Sequence, residues 1–343
     1  MTTESGIRLE FAQFGHFDSF EIIRSTISMV SVADADLPTP IATGVKTMYY
    51  VDDAVTKGVT YYYKVRVWRG TDSLVSTELS VLAGELWTPE ALPTLINLVS
   101  DNVIVDNSNR VSQLTDISGN NRNAVQASDI RKPILTTIGP LSQKALQFDG
   151  SDDFLWISDT TYLQNKNAVW VFWVGEPVFK TAYTSVFYAV YQGTGGSKIN
   201  FSLNNGKPAF GGRRIVSDSY AEVASTENIS AKASINFGQR DYTIKTGTLF
   251  TDGLQKAVKS DLGTAGAADS SALLGGALGA YVTALDGSNF SEAYVGKLGC
   301  VIVGSGTLSE VNRQKLEGWA AYKYGLTSKL ASDHPYKIYA PIL

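Results

Sequence analysis

The chain has 343 residues, and its 29 Lys and Arg against 33 Asp and Glu leave a net charge of −4. That length suggests about two domains at roughly 150 residues each, and the acidic balance argues against a nucleic-acid binder, whose basic surface must offset phosphate charge. One Cys and two His exclude a disulfide framework and a zinc site built on those residues. No apolar run is long enough to cross a membrane as a helix, and the start, Met1 to Gly6, lacks a basic stretch followed by an apolar one. Neither membrane insertion nor a secretion signal is therefore expected.

In chain order, the first 83 residues read as short strands. Ile7, Leu9 and Phe11 alternate with Arg8 and Glu10, and Phe20 and Ile22 repeat the pattern with Glu21 between them. Such alternation marks a sheet with one buried face. The clearest strand is Tyr61 to Trp68, with Tyr61, Tyr63, Val65 and Val67 on the core side. Asp34 to Pro40 carries two prolines without donors and suits a loop or an edge. A small antiparallel sandwich over residues 1–83 follows, with a junction at Ala83 to Pro89.

Residues 84–343 are again rich in strands. Val169 to Val174 is apolar on both faces and belongs deep in the assembly, as do Ser185 to Tyr191 and Lys297 to Val303. Asn204-Asn205-Gly206 and Thr251-Asp252-Gly253 are tight-hairpin signals, since Gly accepts positive φ and Asn or Asp bonds its own backbone. Cys300 alternates with Leu298 and Ile302 as a small buried hydrophobe. One helix is expected at about 309–325, capped by Ser309 and closed by Gly325. Its apolar side would hold Leu308, Val311, Leu316, Trp319, Ala320 and Tyr324, with Arg313, Lys315 and Glu317 opposite and Trp319 as the structural anchor. His334 is expected to dock the tail.

Two resemblances follow from these residues. Phe20 to Ser25, Val51-Asp52-Asp53 and Gly58 to Val65 resemble a fibronectin type III domain, which implies that Tyr61 ties the corner of the sandwich to the backbone. Asp116 to Ala124, Leu146 to Leu155, the helix, and Asp333 to Lys337 together resemble the concanavalin-like, laminin-G-like jelly roll of phage and bacterial surface proteins. Asn121 departs from that pattern where Gly is usual, and Asn312 departs where a capping Glu is common. The fold class is thus all-β: a small fibronectin-like sandwich, then a larger jelly roll with one C-terminal helix.

Jelly rolls of this kind include glycan hydrolases, which need two carboxyl groups about 5–5.5 Å apart for retention. No strand carries such a pair, so no catalytic residue is assigned and a non-enzymatic role is expected. Asp116, Asp149, Asp152 and Asp153 are candidate calcium ligands, with an ordinary Asx turn as the competing reading; no other cofactor is expected. Candidate glycan-binding residues are Tyr183, Tyr191, Asn204, Asn205, Arg213, Arg214 and Tyr220, because sugars stack on exposed aromatic rings and are oriented by polar groups. The tandem resemblance implies a structural component of a bacteriophage virion, in its tail or adsorption apparatus, assembled in the host cytoplasm. Its partners would be other virion proteins, host surface carbohydrate and further copies of itself. A capsid decoration protein, a glycan depolymerase or glycosidase, and a bacterial surface adhesin remain as alternatives.

Overall fold

A computed structural model describes residues 6–56, 58–84, 86–194, 196–267, 270–284, 289–338 and 340–342. The chain divides into two compact units, Met1–Trp87 with Ile342–Leu343, and Thr88–Pro341. The division falls a few residues beyond Ala83 because Trp87 is buried and Leu86 bridges to Ile342.

The described residues of the first unit form seven strands: β1 (Ile7–Glu10), β2 (Ser19–Ser25), β3 (Ala42–Val45), β4 (Tyr49–Asp52), β5 (Thr60–Arg69), β6 (Asp72–Val75) and β7 (Leu79–Leu82). β1 pairs with β4, and β5 lies at the centre of a second sheet between β2 and the consecutive β6 and β7. The alternation in Tyr61 to Val67 is realised in its first half: Tyr61 and Tyr63 enter a core with Ile7, Leu9 and Ile22, whereas Val65 is only partly buried against it. Tyr61 makes the corner that the sandwich requires, its Oη accepting the Thr56 N–H at 2.9 Å. Beside it, Arg24 Nη1 and Tyr63 Oη both donate to the Asp52 carboxylate, at 2.9 and 2.7 Å. A charge thus enters this small core only with its partners in place.

The second unit continues with β8 (Thr94–Val105), β9 (Val111–Asp116), β10 (Ala124–Val125), β11 (Ile134–Ile138), β12 (Gln143–Asp149), β13 (Leu155–Ile157) and β14 (Ala168–Pro177). β15 (Tyr183–Tyr191), β16 (Ser197–Asn204), β17 (Lys207–Gly212), β18 (Ala221–Ala224), β19 (Ser234–Asp241), β20 (Thr246–Thr251) and β21 (Leu254–Lys259) follow. β22 (Leu273–Leu278), β23 (Tyr281–Val282), β24 (Phe290–Ser291), β25 (Val295–Ser305) and the helix α1 (Glu310–Tyr324) complete it. Sixteen of these strands form one sheet that runs from β18 through β15, β22, β8, β25 and β14 to β21. The sheet wraps on itself as a near-barrel jelly roll, with β17 and β18 of one end against β19 to β21 of the other. Trp173, Phe187, Phe201, Phe210, Leu249 and Val301 fill the space between. Gly238 in β19 permits that closure: a Cβ there would stand 2.6 Å from the Phe210 ring and 2.8 Å from Phe201. The two hairpin signals are realised, with Asn205 and Gly206 at φ 52° and 74° and Asp252 and Gly253 at 53° and 80°. Burial pushes the Cys300 thiol up to about 12, so it behaves as an inert apolar group.

The helix forms where the sequence placed it, with Ser309 Oγ accepting the Asn312 N–H and Gly325 in the left-handed conformation. Its buried face differs from the expected one. Leu316, Ala320 and Tyr324 are buried, Val311 is exposed, and Trp319 is only half-buried, lying edge-on to Tyr324. Trp319 is therefore not the anchor. Arg313 and Glu317 are instead buried, because they neutralise each other and the tail folds over them. Arg313 Nη1 contacts both Glu317 oxygens, at 2.6 and 2.7 Å, and its guanidinium lies 3.8 Å over the Phe250 ring. His334 Nδ1 accepts the Tyr336 N–H, which leaves Nε2 to donate to Glu317 Oε2 at 3.2 Å. The tail is docked through this buried triad.

Removing one member of a buried ion pair strands the other charge, which costs about 3–5 kcal/mol. Glu317→Ala should therefore lower the unfolding free energy by that amount, whereas Trp319→Ala, half-exposed, should cost less. Denaturant melts of both variants check the ranking, and a Trp319 effect larger than the Glu317 effect would reverse it.

Candidate functional site

Strand period turns every second residue of β15 to β18 away from the core, although Ser185, Tyr188, Asn200, Ser202 and Ala209 among them are themselves buried beneath longer side chains. Ile199, Phe201, Leu203, Phe210 and Val223 point into the core. Their neighbours must then point out, and cross-strand register aligns them in rows. Tyr183, Asn204 and Lys207 form one row; Ser185, Ser202, Ala209 and Ala224 the next; and Tyr188, Asn200, Gly211 and Glu222 a third. Small residues at 202, 209 and 211 make a floor, over which longer side chains reach.

Two tyrosines meet one carboxylate on this face. Tyr183 Oη donates to Glu222 Oε1 at 3.1 Å, and Tyr220 Oη donates to Glu222 Oε2 at 2.9 Å. Burial, and then the adjacent Glu222 charge, push both phenols above their usual range, so they keep their protons. A second carboxylate closes the far side: Ser185 Oγ donates to Glu292 Oε2 at 2.6 Å, and Asn200 Nδ2 reaches the same oxygen at 3.5 Å. Glu292 is held at φ 50°, a left-handed conformation that a Glu side chain seldom adopts, by a turn whose carbonyl accepts the Ser185 N–H. Beneath them Ser202 is fully buried, and its Oγ has no hydrogen-bond partner. Tyr188 packs edge-on to Tyr281 at 4.1 Å and bonds Ser197 Oγ.

The structure sorts the sequence candidates. Tyr183, Tyr220 and Asn204 share this face, with Tyr183 38% exposed. Asn205 lies at the hairpin tip, and Arg213 follows β17 with its guanidinium beside Gly196. Tyr191 is buried and cannot stack on a ligand. It joins a separate interior cluster in which Lys198 Nζ donates to Tyr191 Oη and to the Arg214 carbonyl, at 3.0 and 2.9 Å. Arg240 is also buried there, held by the carbonyls of Gly212, Ala221 and Leu262. Arg214 is spent on Thr264 and the Ala267 carbonyl, so it braces a loop rather than meeting a ligand. Ala268 and Asp269 of the small polar stretch at residues 263–272 lie outside the described residues. Sequence reasoning missed Glu222, Glu292, Ser185, Asn200 and Ser202. The polar residues at every second position from Lys198 to Asn204 were the available signal.

The acidic candidates also separate. Asp116 accepts four hydrogen bonds from Asn97, Ser118 and Arg122, which makes it the centre of its own turn and no part of a metal set. Asp149, Asp152 and Asp153 do converge, each offering an oxygen within 4.8 Å of the others, and in principle such a group can hold a cation. Calcium takes six to eight oxygens. Here the Gly150 carbonyl accepts from Lys180 Nζ at 2.9 Å, Asp153 Oδ2 from the Asp149 N–H at 2.9 Å and Asp149 Oδ1 from the Ser151 N–H at 2.7 Å, the pattern of a hydrogen-bonded turn.

No protein-family model matches the chain, and no curated protein matches its sequence. Among solved structures, the botulinum neurotoxin serotype C1 binding domain is 11% identical with a TM-score of 0.44, covering 66% of this chain and 51% of its own. The serotype D binding domain is 14% identical with a TM-score of 0.43, over 66% and 50%. A Ruminococcus gnavus sialidase CBM40 bound to sialyllactose is 12% identical with a TM-score of 0.39, over 52% of this chain and 92% of its own. The chain thus spans about half the length of the toxin domains it matches. Likeness at this level carries no argument about function, which must rest on the residues themselves.

Burial pushes the Asp153 carboxyl up to about 7, with the Asp149 and Asp152 charges adding to it. The folded form therefore keeps a proton that the unfolded chain, titrating near 4, releases. The resulting stability is full below about pH 4 and is lost as pH rises through about 7. Asp153→Asn should remove this loss, so the difference in unfolding free energy between variant and parent should shift in the variant's favour across that window. A difference independent of pH would refute the assignment.

Proposed function

We propose that this chain is a non-enzymatic carbohydrate-binding protein whose jelly roll carries the binding face on β15 to β18. The observation that carries the reading is the pairing of Tyr183 and Tyr220 through Glu222 above a floor of small residues. Sugars present apolar C–H faces, which stack on aromatic rings, and hydroxyls, which need closely placed polar groups. This face supplies both within a few ångströms. A hydrolytic reading has less support, because both oxygens of Glu222 are occupied by fixed hydroxyl donors, and Glu292 is engaged by Ser185 and Asn200.

The two-unit layout supports a role in which one sandwich mounts the protein and the other displays the face. The resemblance of both units to phage surface modules makes a virion, at its tail or adsorption apparatus, the setting we favour. A cell-surface adhesin would use the same face in the same way. Immunogold labelling of particles separates them: label at the tail is expected, and particles without label would remove the virion role while leaving the sugar face intact.

Tyr183→Ala removes the most exposed ring of the face without opening the core. Binding to a glycan array or to host cells should fall at least tenfold while the melting midpoint moves little. Arg214→Ala, which removes the brace to Thr264, the Ala267 carbonyl and Asp218 away from the tyrosines, should leave binding near the parent level. Parent-level binding by Tyr183→Ala would move the recognition surface elsewhere.

A further inference from the structure

The face has an unusual hydrogen-bond balance, which the proton count of its groups makes explicit. A tyrosine hydroxyl owns one proton and an ionised carboxylate owns none. Tyr183 and Tyr220 each spend their proton on Glu222, and so turn only lone pairs outward. Ser185 spends its proton on Glu292, and Asn200 Nδ2 reaches the same carboxylate. What remains for a ligand at the centre is acceptors, namely lone pairs of the two phenol oxygens, Glu222 and Glu292; Asn200 Oδ1 is buried and already shares the Ser185 Oγ donor at 3.2 Å, and the Asn204 amide at the rim donates to the Tyr183 phenol. Ser202 Oγ, fully buried in the same set of outward positions and without a partner, is the one hydroxyl of the floor whose proton is uncommitted. The nearest cations do not change the balance at the centre. Lys259 Nζ is taken by the Glu222 carbonyl at 3.1 Å, Lys207 stands exposed at the hairpin end, and Arg213 sits beside Gly196 at the other end.

We infer that the centre of this face accepts hydrogen bonds and takes neutral sugars through pairs of adjacent hydroxyls, while it refuses glycans whose docking residue carries a carboxylate or sulfate. The inference rests on the carbohydrate reading above and narrows it to a ligand class. An acidic sugar would bring acceptors to acceptors and a negative charge between two glutamates, losing its own hydration for no compensating bond. A diol brings two donors to sites already shaped by the tyrosine lone pairs. Glu222 is then the specificity-determining residue, since it both orients the two phenols and supplies the charge.

The test is a set of matched glycans in which each neutral oligosaccharide, such as lactose, is paired with its sialylated and its sulfated counterpart. Binding is read with the full chain at one ionic strength. At least one neutral parent should bind, and its acidic counterparts should bind at least tenfold more weakly. Glu222→Gln, which exchanges a carboxylate oxygen for an amide donor, should bring that ratio to threefold or less. Tyr183→Phe keeps the ring and loses the phenol oxygen, so it should weaken the neutral parent at least threefold with an unchanged melting midpoint. Acidic counterparts binding as tightly as their parents would overturn the inference and leave the carbohydrate reading standing. A folded chain that binds no member of either kind would overturn both.

Discussion

The second unit depends on one close approach, the seating of Phe201 and Phe210 against Gly238. The two rings come from adjacent strands at paired positions, Phe201 opposite Phe210, and they reach across the core to a strand from the other end of the same sheet. With a side chain at 238 the two ends of the sheet could not come this near. The wrapped sheet would stay open, and the apolar residues of both its ends would face water. That contact also sets register. A strand shifted by one residue moves its whole apolar set to the other face, so fixing Phe201 inward fixes Asn200, Ser202 and Asn204 outward. The polar face is the other side of the same packing.

Charge is placed in this protein by pairing rather than by exposure. Asp52 lies in the first core because Arg24 and Tyr63 reach it, and Glu317 lies beneath the tail because Arg313 and His334 reach it. Lys198 and Arg240 are held by carbonyl oxygens and tyrosine rings in the interior. In each case several donors or acceptors converge, which is the condition for a charged group to leave water. The face proposed for binding uses the same chemistry, with Glu222 gathering two phenols and fixing their direction. A rigid arrangement of this kind spends little conformational entropy on a ligand.

Much of the architecture is legible in the residues alone. Alternation in Ile7 to Phe11 and from Tyr61 to Tyr63 marks half-buried strands, and continuous apolar runs such as Val169 to Val174 mark strands covered on both sides. Asn205-Gly206 and Asp252-Gly253 mark hairpins because few other residues accept their backbone, and Ser309 and Gly325 bound the helix for equally local reasons. These signals are local: each depends on a residue's own geometry or on neighbours within one turn.

What lies beyond them was decided by tertiary structure. Helical periodicity set Arg313 and Glu317 on the solvent side, yet they are buried, because the tail that covers them comes from residues 331–338 and no helical period can anticipate it. Tyr191 reads like Tyr183 at the two ends of one strand; bulges at Ser185/Phe187 and Ala189/Val190 shift the pairing between them, and Tyr183 lies outside while Tyr191 is buried. Glu222 and Glu292 are 70 residues apart and come to the same face, one bonded to Tyr183 and Tyr220 and the other to Ser185 and Asn200, only because the wrapped sheet brings β18 and the turn before β25 together. The sequence by itself determined the strands, the turns and the helix, through steric and hydrogen-bonding preferences that act over a few residues. Which polar groups face one another was decided by long-range strand order, a property of the closed sheet that no short stretch of chain contains.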